Sequence, residues 1–83
     1  MEYYFILARS VTHAQRIQRV LIKAGVRCQI DRAPRDITEQ GCAYTVRLPR
    51  GELTTALVAL GRERMDPVRI YLYQSGAYRE VLS

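Results

Sequence analysis

The 83-residue chain contains no tryptophan, one histidine, two cysteines and one lysine. It also has no hydrophobic run long enough to cross a bilayer, because the apolar segment Tyr3–Ala8 is followed directly by Arg9. This arginine interrupts the segment before the apolar core of a signal peptide could form. We therefore expect a cytoplasmic protein with reduced thiols and no membrane partner.

The scarcity of metal-ligating residues argues against a metal centre. The two cysteines and the single histidine, His13, include no Cys-x-x-Cys pair and so lack the spacing of zinc ligands. The sequence also has neither a glycine-rich phosphate loop nor a nucleophile elbow. It therefore predicts no metal, no cofactor and no enzymatic activity.

The size and the charge of the chain limit the classes of function that it can have, but they do not select one of them. The length fits a single domain over residues 1–83, with a core too small to enclose a large active-site cavity. The formal net charge is +5, and every basic residue except Lys23 is an arginine. This balance permits a nucleic acid, an acidic partner or a small anion, and a solvated basic surface explains most of these arginines.

Apolar residues at helical spacing predict two helices. Ser10, or a capping box over Thr12–Gln15, begins the first helix, and Gly25 ends it as the residue after the C-cap. The second helix opens at residues 49–52 and closes at Gly61.

Strand-like segments alternate with these helices. They cover residues 3–8, 26–32, 44–48 and 68–72, and residues 76–83 form either a further short strand or a frayed tail. The order β-α-β-β-α-β is that of the ferredoxin-like sandwich, an α+β fold. Right-handed crossovers place both helices on one face of a four-stranded antiparallel sheet.

The polar loop Pro34–Cys42, between the second and third predicted strands, carries the more informative thiol. In the predicted topology this loop lies at the same end of the sheet as the start of the first helix. We expect five cationic side chains to gather there: Arg9, His13, Arg35, Arg62 and Arg64. Cations and a helix N-terminus lower a thiol pKa from ~8.5 towards ~3.5–7.5. Cys42 is therefore a candidate reactive thiolate, and a loop thiol without a role is the alternative.

The other cysteine, Cys28, shares a strand face with Val26 and Ile30, so we expect it in the core. In a hairpin of the second and third strands, Cys28 pairs near Arg47, on the order of 15 Å from Cys42. A disulfide requires Cα atoms within ~7 Å of each other, so we expect no bridge.

An ordered set of short segments resembles a known family. They are Tyr-Tyr-Phe-Ile-Leu at 3–7, Ser-Val-Thr-His-Ala at 10–14, Lys-Ala-Gly-Val at 23–26, Ala-Pro-Arg at 33–35 and Gly-Cys at 41–42. Together they resemble the small bacterial family of selenium/sulfur carrier protein-like domains. The similarity is strongest up to the second predicted helix.

The resemblance implies a small cytoplasmic domain whose loop cysteine holds sulfur or selenium as a persulfide or selenopersulfide. The carrying position falls on Cys42, and the Pro-Arg pair before the loop falls on Pro34 and Arg35. The implied partners are a cysteine desulfurase-type donor and an acceptor enzyme. Family members commonly have glycine after the cysteine, where this chain has Ala43. If that glycine adopts a positive φ angle, alanine would hinder it.

Four residues are candidates to support Cys42. Arg35 would stabilise the thiolate or bind an acidic partner, with a solvated arginine as the alternative. His13 would tune the thiol, or else belong to the plain surface of the first helical turn. Pro34 ends the second strand, and Gly41 directly precedes the thiol.

The sheet face away from the helices suggests a second function, a binding or interaction module without thiol chemistry. Arg47, Tyr71 and Tyr73 should lie there with one aromatic residue of the segment 3–5. Aromatic and arginine side chains on an open sheet resemble RNA-recognition modules, although the specific signature of those modules is absent. Nucleic acid is therefore the least favoured partner, and a homodimer or a partly covered face would also hide these rings.

Overall fold

The structure is a computed structural model that describes residues 2–35, 37, 43–65 and 69–82. The elements are β1 (Tyr3–Ala8), α1 (Val11–Lys23), β2 (Gln29–Arg32), β3 (Tyr44–Pro49), α2 (Leu53–Arg62), β4 (Ile70–Gln74) and β5 (Ala77–Leu82). A 3-10 turn, Arg50–Glu52, leads into α2. In the described part of the chain, no helix is long and apolar enough to cross a membrane.

The strands form one antiparallel sheet in the order β2-β3-β1-β4-β5. The predicted β-α-β-β-α-β order is confirmed as far as β4. The predicted four-stranded sheet is wrong, because the C-terminal residues add β5 beside β4. Ser75 and Gly76 have φ angles of 54° and 79°. Two successive positive φ angles are typical of the tight turns that join antiparallel strands in a hairpin.

Both helices pack on one face of this sheet, as predicted. Strand residues of this face and the buried stripes of the two helices form the larger core: Ile6, Ala8, Val46, Leu48, Ile70, Ala14, Ile17, Leu21, Ala56 and Leu60. Tyr4 packs against the same core. The alternation of β1 therefore sends Tyr4 to the helix side, and Tyr3 and Phe5 to the opposite face.

The opposite face is partly covered. Phe5, Tyr71 and Ile37 are each 8% exposed and form a second buried cluster. The Tyr78 ring on β5 packs edge-on against Phe5, with 5.3 Å between ring centroids, and lies 4.8 Å from the Tyr73 ring. This face therefore carries two aromatic residues from β1, where the sequence predicted one.

The helix ends agree with the sequence at α1 and differ at α2. Gly25 follows the C-cap of α1 with a φ of +82°, as predicted. The predicted closure of α2 at Gly61 is wrong, because the helix continues to Arg62 and Arg64 adopts the positive φ of 57°. The backbone N–H of Met65 donates to the Leu60 carbonyl oxygen at 2.8 Å, which completes the same type of cap without glycine.

The contacts of Tyr78 predict that β5 contributes to folding stability. Tyr78→Ala removes two ring contacts, so we expect the free energy of unfolding to fall by about 2 kcal/mol. Val81→Ala is the control on the same strand, because its side chain is exposed, and its cost should stay below about 0.5 kcal/mol. Urea unfolding measures both. Equal stability of wild type and Tyr78→Ala would contradict the role of β5.

Candidate functional site

The loop between β2 and β3 begins and ends at a closed neck. Tyr44, the first residue of β3, pairs with Arg32 of β2 and with Ala8 of β1. One residue further out, the backbone N–H of Ala33 donates to the carbonyl oxygen of Ala43 at 3.0 Å. The loop thus leaves and re-enters the sheet at the end where β1 finishes. The predicted carrier residues Cys42 and Gly41 lie outside the described residues, and Ala43 is the described residue nearest to them in the chain.

Ile37, in the loop between β2 and β3, lies over the sheet face opposite the helices. The backbone N–H of Ile37 donates to the Pro34 carbonyl oxygen at 3.0 Å, and the Ile37 side chain packs with Phe5 and Tyr71. Arg35 lies within this turn and is exposed. We did not anticipate the position of Ile37, although a single large aliphatic residue in a polar loop is a signal for such an anchor.

Ser10 and His13 fix the start of α1. The backbone N–H of His13 donates to Ser10 Oγ at 3.1 Å, and the backbone N–H of Arg9 donates to His13 Nδ1 at 3.1 Å. This is a reciprocal cap built on Ser10, so the predicted capping box on Thr12 is wrong. Partial burial, together with the positive charges of Arg9 and Arg16, holds the pKa of His13 below its ordinary value.

A basic cleft opens beside this cap. It is lined by Arg9, Ser10, Thr12, His13, Arg16, Arg64 and Met65. Arg9, His13 and Arg64 were predicted to gather at this end of the sheet, and the structure brings them together. Arg62 lines an adjoining groove instead, and Arg35 is not among the described residues that line the cleft. Arg16 also lines the cleft and was not among the predicted residues, although it lies three residues after His13 and therefore on the same helix face.

Cys28 is the thiol that the structure describes, and it packs against the helix-side core as predicted. Its Sγ lies 3.9 Å from the Gln18 carbonyl oxygen, within reach of a weak hydrogen bond. Burial, with a smaller effect from the negative charge of Glu52, raises the pKa of the Cys28 thiol. Cys28 is free of a disulfide. Because the thiolate is the reactive form and a raised pKa disfavours it, Cys28 is poorly suited to nucleophilic chemistry.

The sheet face opposite the helices provides a poor platform for stacking bases. Phe5 and Tyr71 are buried beneath Ile37 and Tyr78, so a base has no access to the rings at the centre of the face. Arg47 lies over the Tyr3 ring, 5.2 Å from its centroid, and also forms an ion pair with Asp31. The partial covering of this face therefore agrees better with a structural role for these aromatic residues than with the stacking of bases.

The described residues contain no group of three or more His, Cys, Asp or Glu side chains able to hold a metal ion.

Comparison with known protein families gives one result. The family model described as "Putative Se/S carrier protein-like" matches residues 3–72. The match runs from the start of β1 into β4 and spans the whole β2–β3 loop, including position 42. No curated protein and no solved structure matches the chain.

The cap at α1 predicts a pH-dependent stability. Because the folded-state pKa of His13 is lowered, the neutral cap contributes fully above the ordinary pKa of about 6.5. This contribution is lost as the pH falls through the folded-state pKa, since a protonated Nδ1 cannot accept from Arg9. Urea unfolding should show wild type losing more stability than His13→Ala between about pH 7.5 and pH 5. Parallel pH profiles for the two proteins would contradict this assignment.

Proposed function

The chain belongs to the Se/S carrier protein-like family, and from this membership we propose that it holds sulfur or selenium on Cys42 and relays it between two other proteins. The proposed partners are a cysteine desulfurase-type donor and an acceptor enzyme. The proposed exchange takes place in the cytoplasm, where free thiols persist.

A comparison of the chain's two thiols supports Cys42 as the carrier. Cys28 is withdrawn against the helix-side core, and the pKa of its thiol is raised. A carrier thiol must instead meet a partner's active site and ionise near neutral pH. Cys42 belongs to a loop of the length and position that can meet a partner, since loops commonly carry function on a rigid scaffold. The partial burial of Cys28 against the helix-side core, taken with the family match, is the observation that carries the proposal.

The charge near the loop's neck supports a thiolate at this end of the molecule. Arg9 follows Ala8, which pairs with Tyr44, and Ala43 precedes Tyr44. Arg9, Arg16 and Arg64 line the cleft beside the first turn of α1, and no ion pair with a described residue neutralises them. Such a cationic field favours an anionic sulfur over a neutral thiol.

The exchange that we propose needs no oxidant or reductant. The Cys42 thiolate attacks the outer sulfur of the donor's persulfide and forms a new S–S bond, while the donor's own S–S bond breaks. The donor cysteine leaves as a thiolate, and Cys42 becomes the persulfide. Attack by the acceptor's thiolate on the outer sulfur then regenerates the Cys42 thiolate. Selenium follows the same displacement as a selenopersulfide.

A carrier of this kind acts without a substrate cavity of its own. The clefts among the described residues are open and lie on the surface, and the partner enzymes supply the chemistry that loads and unloads the thiol. Accordingly, we propose a non-enzymatic role for the chain itself.

A second candidate is an interaction module that uses the sheet face opposite the helices. Its support is that Tyr3, Tyr73 and Tyr78 remain half-buried at the margin of the covered aromatic cluster. A second copy of the chain could cover these rings. The carrier function is the stronger candidate, because the family match supports it directly.

Loading of Cys42 is tested by intact-mass spectrometry after incubation with a cysteine desulfurase and cysteine. Wild type and Cys28→Ala should each gain the mass of one sulfur atom, and the gain should disappear on treatment with a thiol reductant. Cys42→Ala should gain nothing. Cys28→Ala is the matched control, because it removes the chain's other thiol and leaves the loop unchanged.

The same experiment can refute the proposal in two ways. An equal adduct on wild type and on Cys42→Ala would assign the sulfur to Cys28. The absence of any adduct on wild type, with a desulfurase shown to load an established acceptor, would leave the interaction module as the better explanation.

A further inference from the structure

The seam between α1 and α2 forms a basic groove that continues from the cleft described above. The cleft and the groove share Arg16 and Met65. Six cationic side chains line the two together: Arg9, Arg16, Arg19, Lys23, Arg62 and Arg64. Arg16, Arg19 and Lys23 recur at helical spacing, so they form a stripe along one face of α1.

Few acidic side chains line this groove in the part of the chain that the structure describes. Among the described residues, Glu63 is the one carboxylate that lines it. The three ion pairs of the described part of the chain lie elsewhere, on the sheet and at its ends: Arg47–Asp31, Arg50–Glu2 and Arg69–Glu80. Among the described residues, the groove therefore carries an excess of positive charge, in a protein whose formal net charge is +5.

Four apolar residues also line the groove, namely Val20, Ala24, Ala59 and Met65. No aromatic ring is among the described residues that line it. Ile22, which is 59% exposed, lies beside Arg19 and Lys23. Arginine and methionine are enriched at protein interfaces, whereas single-stranded nucleic acid is usually held by stacking on aromatic rings.

From these observations we propose that the α1–α2 groove binds an acidic segment of a partner protein. Arginine guanidinium groups pair with carboxylates through two parallel hydrogen bonds, which gives such a contact direction as well as charge. The α1 helix of 13 residues is about 20 Å long at 1.5 Å per residue. About six residues of an extended acidic peptide span this length at ~3.3 Å per residue.

The cleft that adjoins the groove lies at the end of the molecule from which the β2–β3 loop emerges. It is lined by Arg9, which is next in the chain to Ala8 at the neck of the loop. An acidic partner docked here would be guided to the loop by charge, which raises association rates more than affinity. The identification of this partner as the sulfur donor or acceptor rests on the function proposed above. The preference of the groove for an acidic protein segment does not.

The groove is tested with two fluorescein-labelled probes: a peptide of about six consecutive glutamates, to match the estimated span, and an oligouridylate of equal charge. Fluorescence anisotropy measures the binding of each probe at low salt and during a salt titration. The groove variant is Arg16→Glu/Arg19→Glu. The control, Arg27→Glu/Arg79→Glu, changes the net charge equally at two exposed arginines outside the groove.

We expect the groove variant to bind the glutamate peptide about tenfold more weakly than wild type, and the control to stay within about twofold. Binding should weaken as salt rises. Circular dichroism verifies that the variants are folded. If Arg16→Glu/Arg19→Glu does not fold, Lys23→Glu/Arg62→Glu provides a second groove variant. Cys42→Ala should bind the peptide as wild type does, so a failure of sulfur loading and a failure of the groove remain distinguishable.

Three results would overturn the proposal. Equal losses in the groove variant and the control would show that only the overall charge matters. Tighter, groove-dependent binding of the oligouridylate would make the groove a nucleic-acid site. No binding of the glutamate peptide to wild type at low salt would exclude an acidic segment as the ligand.

Discussion

Strand β1 lies at the centre of the sheet and carries apolar side chains on both of its faces, so both faces must be shielded from water. The helices cover Ile6 and Ala8 on one side. On the other side, Phe5 is covered by Ile37 from the β2–β3 loop and by Tyr78 from β5. The loop that leads to Cys42 and the strand β5 are therefore both held on the sheet by contacts with the same apolar side chain, Phe5.

The two cysteines belong to different parts of the chain, and the division of roles that we propose rests on this difference. Cys28 directly precedes β2 and packs against the helix-side core, where partial burial raises the pKa of its thiol and so disfavours the thiolate that exchange requires. Cys42 belongs to the loop whose neck adjoins Arg9 and the first turn of α1. From there, cationic side chains that form no ion pair with a described residue continue along α1 and α2. One end of the molecule thus combines the neck of the cysteine-bearing loop with a basic surface, which we propose attracts acidic partners.

Local sequence signals predicted those parts of the fold that depend on local interactions. Alternation in the strands, the stripe of α1 and Gly25 at its end were sufficient for the β-α-β-β-α-β order. The sequence did not decide whether the C-terminal residues form a strand or a frayed tail. The reason is that β5 is stabilised by aromatic packing across the sheet, which the alternation of its own residues does not reveal. The end of α2 was misplaced because Arg64, a residue that rarely adopts positive φ, takes the position that Gly61 was expected to fill.

In the candidate site, too, some features could be predicted from the sequence, and others depend on contacts between distant parts of the chain. The grouping of Arg9, His13 and Arg64 followed from topology alone, because strand and helix directions determine which ends meet. The anchoring of Ile37 could not be derived in this way, since it depends on a contact between distant parts of the chain. Sequence resemblance identified the family, and the family match over residues 3–72 confirms it. The role of Cys42 remains our proposal.

The central claim is that Cys42 ionises more readily than an ordinary thiol while Cys28 does not. The most direct measurement is the rate of alkylation by iodoacetamide as a function of pH, in Cys28→Ala for the first thiol and in Cys42→Ala for the second. We predict a midpoint for Cys42 below the ~8.5 of a free cysteine, and a midpoint for Cys28 above it. A Cys42 midpoint at or above that of free cysteine, or a Cys42 that resists alkylation at neutral pH, would contradict the claim.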